Sequence, residues 1–568
     1  MYISKVVIEN YKCFDGTFSL SLNKHLNILV GDNEVGKSTV IEAINLALTG
    51  LFNGRYLKSE LNQYLFNNNV VEKYFKAIEN IKNDSIPIPP EILIEIYFDD
   101  IDDDSTKALF EGNGNTTKQK ACGVQFRIAL SESYKSYYEE LTKNGEIKSL
   151  PIEYYDFHWS SFARDETVTP ALIPIKPALI DSSNTRYSNG SDVYISRILR
   201  DRLEDTEKNS VSQAYRKFRD SFDRDPAIMA INEKIQVDSY ISEKRVELSV
   251  DVSSKNAWET TLTTYLDKVP FHYVGKGEQT LVKTKLALGH KRTKEASVLL
   301  IEEPENHLSH TKLNRLIEFI KSSNEEKQII LSTHSSFVAN KLNLGNLILF
   351  NNNHLTNIRT NMSFNELSSE TREYFEHLSG YDTLRLILCK SSILVEGDSD
   401  ELVVKRAYMD SHLGKLPIEE EKEIISVGTA FLRFLEIASK LNKQVAVVTD
   451  NDSNIEGVKD KYKNYLEDGK NLNIKICFDS QNDSGNLTTG KENKSFNYNT
   501  LEPKLVKENG LELINKILEK SYNSENDLHK YMMLNKTECA LKIFKSNLCI
   551  KFPKYINDAI DFVSNESK

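Results

Sequence analysis

Residues 393–402 read ILVEGDSDEL, an apolar run that ends by placing Glu396, Asp398, Asp400 and Glu401 in one turn. A second run, VAVVTDND at 445–452, ends on Asp450 and Asp452. Alternate residues of an extended segment point the same way, so this pair is predicted to share a face. The interval between Glu396 and Asp450 leaves room for two βα units. Neighbouring parallel strands would then carry Glu396, Asp400, Asp450 and Asp452 at their carboxyl ends, where α/β sheets bind ligands. Carboxylates grouped in this way repel one another unless a cation sits among them. The nearby cations, Lys405 and Arg406, fall farther along the following helix. Clustered hard oxygen donors suit Mg2+ or Mn2+.

A different chemistry is written nearer the start. GDNEVGKS at 31–38 fits G-x-x-x-x-G-K-[ST], with the buried run LNILV before it and a helical pattern after it. Gly31 and Gly36 let the loop curl so that backbone N–H groups face phosphate, and the helix N-terminus adds partial positive charge. Lys37 is placed to reach the β- and γ-phosphates of ATP and Ser38 to ligate its Mg2+, with Asn33 and Thr39 as flanking contacts. LLIEEPENHL (299–308) is an apolar strand ending in two acids: Glu302 to hold Mg2+ through water, Glu303 to polarise the attacking water. IILSTHS (329–335) delivers His334 to the same sheet edge, within reach of the γ-phosphate.

These groups need elements to position them. Alternation over the first 30 residues predicts two strands and then the buried LNILV strand. The helix from Lys37 stops at Gly50, 60–85 reads as helix, and EILIEIYFD (91–99) reads as strand. Ile195, Ile198, Leu199, Leu203, Val211, Ala214, Tyr215, Phe218 and Phe222 recur at helical steps among dense mixed charge. They predict an amphipathic helix pair, packed on its own domain or serving as a dimerisation arm. Strands and helices alternate from 271 to 350 and again from 386, an α/β pattern with parallel sheets. NNNHLTNIRTN (351–361) reads as a hairpin or linker.

VGKGEQTLVKTKLAL (274–288) resembles the signature of ABC ATPases, in which a helix N-terminus caps the γ-phosphate held by the opposite subunit. Lys276 stands where that pattern has glycine and Gly275 where it has serine; Gly277 and Gln279 are the matching positions. The resemblance implies at least a dimer of heads. The order of these motifs resembles Rad50/SMC/RecF-type ATPases, without a long coiled coil between them. The acid pattern resembles the Toprim domain, and a head followed directly by Toprim resembles the OLD (overcoming lysogenisation defect) family of ATP-dependent nucleases. That family includes Gabija and retron-associated members.

The resemblance implies that Glu396, Asp400, Asp450 and Asp452 bind two divalent ions that cleave a phosphodiester of DNA, with a third ion at ATP. It adds Glu401 as a further ligand, Glu502 in NTLEPKL as a ligand of the second ion, and Lys536 in NKTECAL as the cation for the pentacovalent phosphate or leaving group. It implies a homodimer or larger homo-oligomer in antiphage defence, partnered by a helicase subunit or by a reverse transcriptase with its multicopy single-stranded DNA. The expected layout is an ATPase head over 1–185 and 261–360, a helical insert over 186–260, a linker over 361–387 and a Toprim domain over 388–568.

The net charge of −11 excludes a simple basic nucleic-acid coat, so DNA contact would need local patches or metal ions. Lys283, Lys285, Lys291, Arg292 and Lys294 form the densest basic stretch. Six cysteines without CxxC spacing read as reduced thiols. No apolar run approaches a membrane span, and MYISKVVIENYKCF reads as a strand rather than a signal core, which predicts a cytoplasmic protein without a membrane partner. Two other functions fit the same motifs: a SMC/RecF-like DNA-binding ATPase whose Toprim block is inactive, and an enzyme acting on RNA or free nucleotide.

Overall fold

The computed structural model describes residues 1–568 except 80–86, 144–147, 165–167, 182–186, 189–190, 193–202, 238–246, 251–257, 259–262, 290–294, 324–325, 336–337, 339–343, 354–357, 378–380, 467–470, 490–493 and 566–568. Along the chain come β1 (Tyr2–Glu9), β2 (Thr17–Ser21), β3 (Leu26–Val30) and α1 (Lys37–Thr49). Then follow β4 (Ile92–Asp99), β5 (Ala121–Leu130), β6 (Tyr155–Ser161), β7 (Pro177–Asp181), α2 (Asp205–Asp223), α3 (Pro226–Val237) and α4 (Lys276–Leu288). β8 (Val298–Glu302), α5 (His310–Ser323), β9 (Gln328–Thr333), β10 (Leu347–Asn353) and β11 (Ile358–Ser363) complete the first part.

Two sheets enclose α1. One is antiparallel in the order β2-β1-β4-β5, with β6 and the short Glu111–Gly112 strand also paired to β5. The other runs β7-β8-β9-β3-β10-β11 and is parallel up to its last pair. A helix between two layers must be apolar on most sides, and α1 buries Val40, Ile41, Ala43, Ile44, Leu46, Ala47 and Leu48. Gly50 ends it in the left-handed conformation (φ 68°), its N–H donating to Leu46 O.

After α6 (Ser369–His377) the second part begins: β12 (Ser391–Val395), α7 (Asp398–Ser411), β13 (Lys422–Ser426), α8 (Phe431–Lys440), β14 (Gln444–Val448) and β15 (Ile474–Cys477). The strands pair in parallel as β13-β12-β14-β15. α9 (Leu501–Leu518, kinked at Gly510), α10 (Lys536–Lys545) and α11 (Lys554–Ser564) cover one face of this sheet together with α7.

The segment 361–387, expected to be a linker, is packed instead. Phe364, Phe375, Leu386 and Ile387 join a core that runs from Val30 and Leu349 of the first part to Leu394, Phe434 and Val447 of the second. Glu436 of α8 accepts from Ser368 N, Ser368 Oγ and Thr371 Oγ1, and Asn351 Nδ2 donates to Leu441 O at 2.7 Å.

Of the predicted helix pair, Ile195, Ile198 and Leu199 lie outside the described residues. The rest falls mainly on α2, where Tyr215 is buried beside Trp258 while Phe218 is 56% exposed. In the basic stretch Lys283 is buried, so it is not available to track DNA; Lys285 is exposed, and Lys291, Arg292 and Lys294 lie outside the described residues.

Candidate functional site

The phosphate loop leaves β3 at Gly31, where a Cβ would stand 2.6 Å from Phe350 O on the neighbouring β10, closer than any side chain tolerates. Gly36 holds φ 108° at the start of α1, a second position needing glycine. Lys37 is buried and folded back over the loop, its Nζ donating to Gly31 O (2.9 Å) and Asp32 O (2.6 Å). Burial pushes its ammonium down to about 8, against the opposing pull of Glu303, Asp32 and Glu305. Asn33 and Ser38 are exposed and Thr39 half-buried, with Cys13 Sγ donating to Thr39 Oγ1.

β8 and β9 bring Glu302, Glu303 and His334 to the same edge. Glu302 lies in register with Ser332, and Glu303 turns out of the strand in the left-handed region (φ 39°) with its N–H on Ser332 O. His334 Nε2–H donates to Glu303 Oε1 at 2.8 Å, which leaves Nδ1 as acceptor toward Lys37 Nζ at 3.4 Å. Lysine, histidine and glutamate thus form one chain across the loop. Sequence reasoning passed over Glu305, whose Oε1 accepts from Thr333 Oγ1, His334 N and Ser335 N and so fixes the turn that carries the histidine. The acid-rich EEPENH was the available signal.

At the signature, Gly277 sits in the first turn of α4 with no room for a side chain, since a Cβ would lie 2.3 Å from His307 O. Gln279 departs from expectation. It is 5% exposed and its Nε2 donates inward to Phe271 O and Val274 O, so its side chain shapes the turn before α4 rather than facing nucleotide.

In the second part β12 and β14 are parallel neighbours in register from Ser391↔Gln444 to Leu394↔Val447, which releases Glu396 and Asp450 at one edge. α7 then starts at Asp398, and Asp400 Oδ2 accepts from Gly397 N at 2.9 Å. Burial, with Glu502 and Glu396 adding to it, holds the Asp400 carboxyl up at about 6 against that hydrogen bond and Lys536. Asp450 is pushed well above the carboxylate range by burial and then by Asp400, Glu502, Asp452 and Glu396. Glu502 enters from the first turn of α9, buried, and meets Lys536 Nζ from the start of α10 at 3.3 Å. Burial opposes the Lys536 charge, but Glu502, Asp450 and Asp400 together raise it above the usual lysine value.

Asp450 and Asp452 do not share an extended face. β14 ends at Val448, Asp452 adopts φ 46°, and its exposed carboxylate accepts from Asn497 Nδ2 at 2.7 Å. Glu401 is withdrawn from the cluster: Lys405 Nζ lies 2.6 Å from it and Arg385 contacts it at 3.4 Å, 16 residues upstream. Arg406 is occupied by Asp410 and by carbonyls of 543–548. Among the described residues Lys536 is the cation at the cluster, where it faces Glu502, Asp450 and Asp400.

A cavity of about 10 Å3 lies among Glu396, Asp400, Asp450, Val404, Val448, Thr449, Leu501 and Tyr555, the size that admits one water. Among the described residues no three His, Cys, Asp or Glu side chains close into a ready-made metal cage. The donor set nevertheless fits a divalent cation: it is all-oxygen and surplus negative.

A polar frame holds the Asp450–Asp452 turn. Buried Asn451 donates to Asp479 O and Gln481 O, and buried Asn499 donates to Ser453 Oγ and Asp483 O. Lys504, also buried, bridges Asp479 (2.5 Å) and Asp483 (2.7 Å). Lys504→Met leaves two carboxylates without their shared cation, so unfolding free energy should fall by about 2 kcal/mol, read in a urea melt. An unchanged midpoint would show that the bridge adds nothing.

An ATPase head carrying a phosphate loop, joined to a parallel sheet with converging acids, defines an ATPase–Toprim protein. The family described as "AAA domain, putative AbiEii toxin, Type IV TA system" matches residues 26–340, and the description "Overcoming lysogenization defect protein-like, TOPRIM domain" matches 387–452. The chain belongs to this AAA-domain family and is an OLD-family ATPase–Toprim protein. Its two domains are those of a nuclease-type enzyme that uses nucleotide and divalent metal. Glu502 and Lys536 lie beyond the matched Toprim residues.

Among solved structures, an SMC head bound to the C-winged-helix domain of ScpA matches at 16% identity over 65% of this chain and 99% of that one, with TM-score 0.34. An SMC head domain from Thermotoga maritima matches at 14% over 64% and 99%, TM-score 0.29. An SMC head with extended coiled coil, bound to the C-terminal domain of ScpA derived from Pyrococcus furiosus, matches at 14% over 66% and 98%, TM-score 0.33. Scores this low carry no weight below. No curated protein matches the chain. No helix among the described residues is long and apolar enough to cross a membrane.

Proposed function

We propose that the protein is an ATP-regulated, divalent-metal-dependent DNA endonuclease or nickase, the effector of a prokaryotic antiphage system, acting as a homodimer or larger homo-oligomer. The supporting observation is the gathering of Asp400, Glu502, Asp452 and Glu396 about Asp450 at the carboxyl edge of a parallel sheet, with Lys536 facing Glu502, Asp450 and Asp400. Residues 1–185 and 261–360 form the head, 186–260 its insert and 388–568 the nuclease domain.

The five acids would hold Mg2+ or Mn2+, which when bound supplies Lewis-acid polarisation of the phosphodiester. The chain's own groups do the rest. Lys536, charged because three acids face it, stabilises the negative charge that develops on the phosphate or leaving oxygen. In the head, Lys37 leaves the carbonyls of Gly31 and Asp32 to meet the triphosphate, while Glu303, oriented by His334, aligns the attacking water.

Supercoiled plasmid incubated with Mg2+ or Mn2+ tests the reading: wild type should nick it, and Lys536→Ala should nick roughly 100-fold or more slowly, the scale of losing one transition-state charge partner. Nicking by Lys536→Ala at the wild-type rate would sink the assignment. A second reading, a DNA-binding ATPase without nuclease activity, draws on the lack of a closed metal cage among the described residues. It predicts DNA retention without strand breaks at any concentration of either ion.

A further inference from the structure

No tyrosine was marked by a motif in the sequence, yet Tyr555 stands at the acid cluster. It occupies the first turn of α11, a helix whose packing partners include β12, β14 and β15. Its ring is 6% exposed and lines the small cavity together with Glu396, Asp400 and Asp450. Among the described residues its hydroxyl makes no hydrogen bond. The charged groups facing it are Asp450, Asp400, Asp479 and Glu502. A phenol, a neutral donor, thus lines a cavity it shares with three carboxylates.

We propose that Tyr555 is a positioning residue of the acid site, its hydroxyl donating, through the one water-sized space before it, to the carboxylates of Asp450 and Asp400. The proposal rests on the nuclease reading above. A neutral donor lowers the repulsion between acids without bringing a cation that would compete with the divalent ion. It also keeps both carboxylates turned into the cavity when no ion is bound. Burial argues against the other role open to a tyrosine near such a site, attack on phosphorus: Tyr555 is 6% exposed and shares the cavity with Val404, Val448 and Leu501.

The test is Tyr555→Phe in the full chain, which keeps the ring and removes the donor. Mn2+ affinity measured by calorimetry should weaken about three- to tenfold, the equivalent of one net hydrogen bond. The Mn2+ concentration for half-maximal plasmid nicking should rise by the same factor, and the acid limb of the pH–rate profile should move upward. The loss should appear in metal affinity rather than in the rate at saturating Mn2+. Unchanged Mn2+ affinity and pH profile would overturn the proposal. So would a covalent protein–DNA adduct trapped with wild type and lost in Tyr555→Phe, which would make the phenol a nucleophile. Asp450→Ala serves as the control: if it nicks like wild type, the nuclease reading fails, whatever Tyr555 does.

Discussion

Asp450→Asn should abolish strand cleavage while making the metal-free protein more stable. The two effects share one cause. Burial and four neighbouring acids hold the Asp450 carboxyl far above its ordinary range. A folded-state value above the unfolded one means that the folded protein keeps a proton the unfolded chain has released. Stability therefore falls as pH rises through that interval, and the penalty is complete above the folded value. For Asp400 the interval runs from the ordinary 3.8 to about 6. Asparagine mimics the protonated acid and never ionises, so the variant escapes Asp450's share of the penalty. At pH 8 without metal its melting temperature should exceed wild type by a few degrees, on the order of 1 kcal/mol in a domain this size. Adding Mg2+ or Mn2+ should reverse the order, because only wild type gains from placing a cation among ionised acids. Cleavage should fall by about 10^3-fold or more, since several kcal/mol of charge stabilisation disappear at a tenfold rate loss per 1.36 kcal/mol. Calorimetric melts with and without metal, run beside a nicking assay, decide it. A variant that melts below wild type in EDTA would mean the acids are not repelling one another.

The parts of this site that could be read in advance are those fixed by short-range pattern. An apolar run ending in acid marks a buried strand and its carboxyl end, so Glu396 and Asp450 emerge at one sheet edge as expected. The phosphate loop was legible for the same reason: strand, glycines, lysine and helix are contiguous. What failed depended on partners far along the chain or on one backbone angle. Glu401 looks like any other acid of EGDSDE, but Arg385 and Lys405 take it. Asp452 is two residues from Asp450, yet a left-handed turn breaks the alternation that would have paired them. Gln279 matches a signature position while its amide is spent on the preceding turn. Tyr555 carries no motif, and the packing of α11 on the sheet brings it to the acids; Lys504 lies in NTLEPKL, but its partners Asp479 and Asp483 stand 25 and 21 residues upstream.

Lys37→Ala should leave a nuclease that no longer answers to ATP. In the free protein Lys37 is spent on the loop's own carbonyls and lies 3.4 Å from His334, whose other nitrogen holds Glu303. A triphosphate draws the ammonium away from those carbonyls, so the same movement that binds phosphate changes what His334 and Glu303 face. Without the lysine, one charge-assisted contact is lost and ATP turnover should fall by roughly 10^2- to 10^3-fold. Plasmid nicking should become equal with and without ATP, whichever direction ATP drives the wild type. The lysine also predicts a proton signature. Burial holds it down to about 8, so above that pH the free protein has given up a proton that phosphate wants back. ATP binding should take up close to one proton near pH 9 and almost none at pH 7, with affinity falling as pH rises past about 8. Titration calorimetry in two buffers of different ionisation enthalpy measures this directly. Equal apparent heats in both buffers at pH 9 would show that the lysine stays charged in the free loop and that burial does not set its proton affinity.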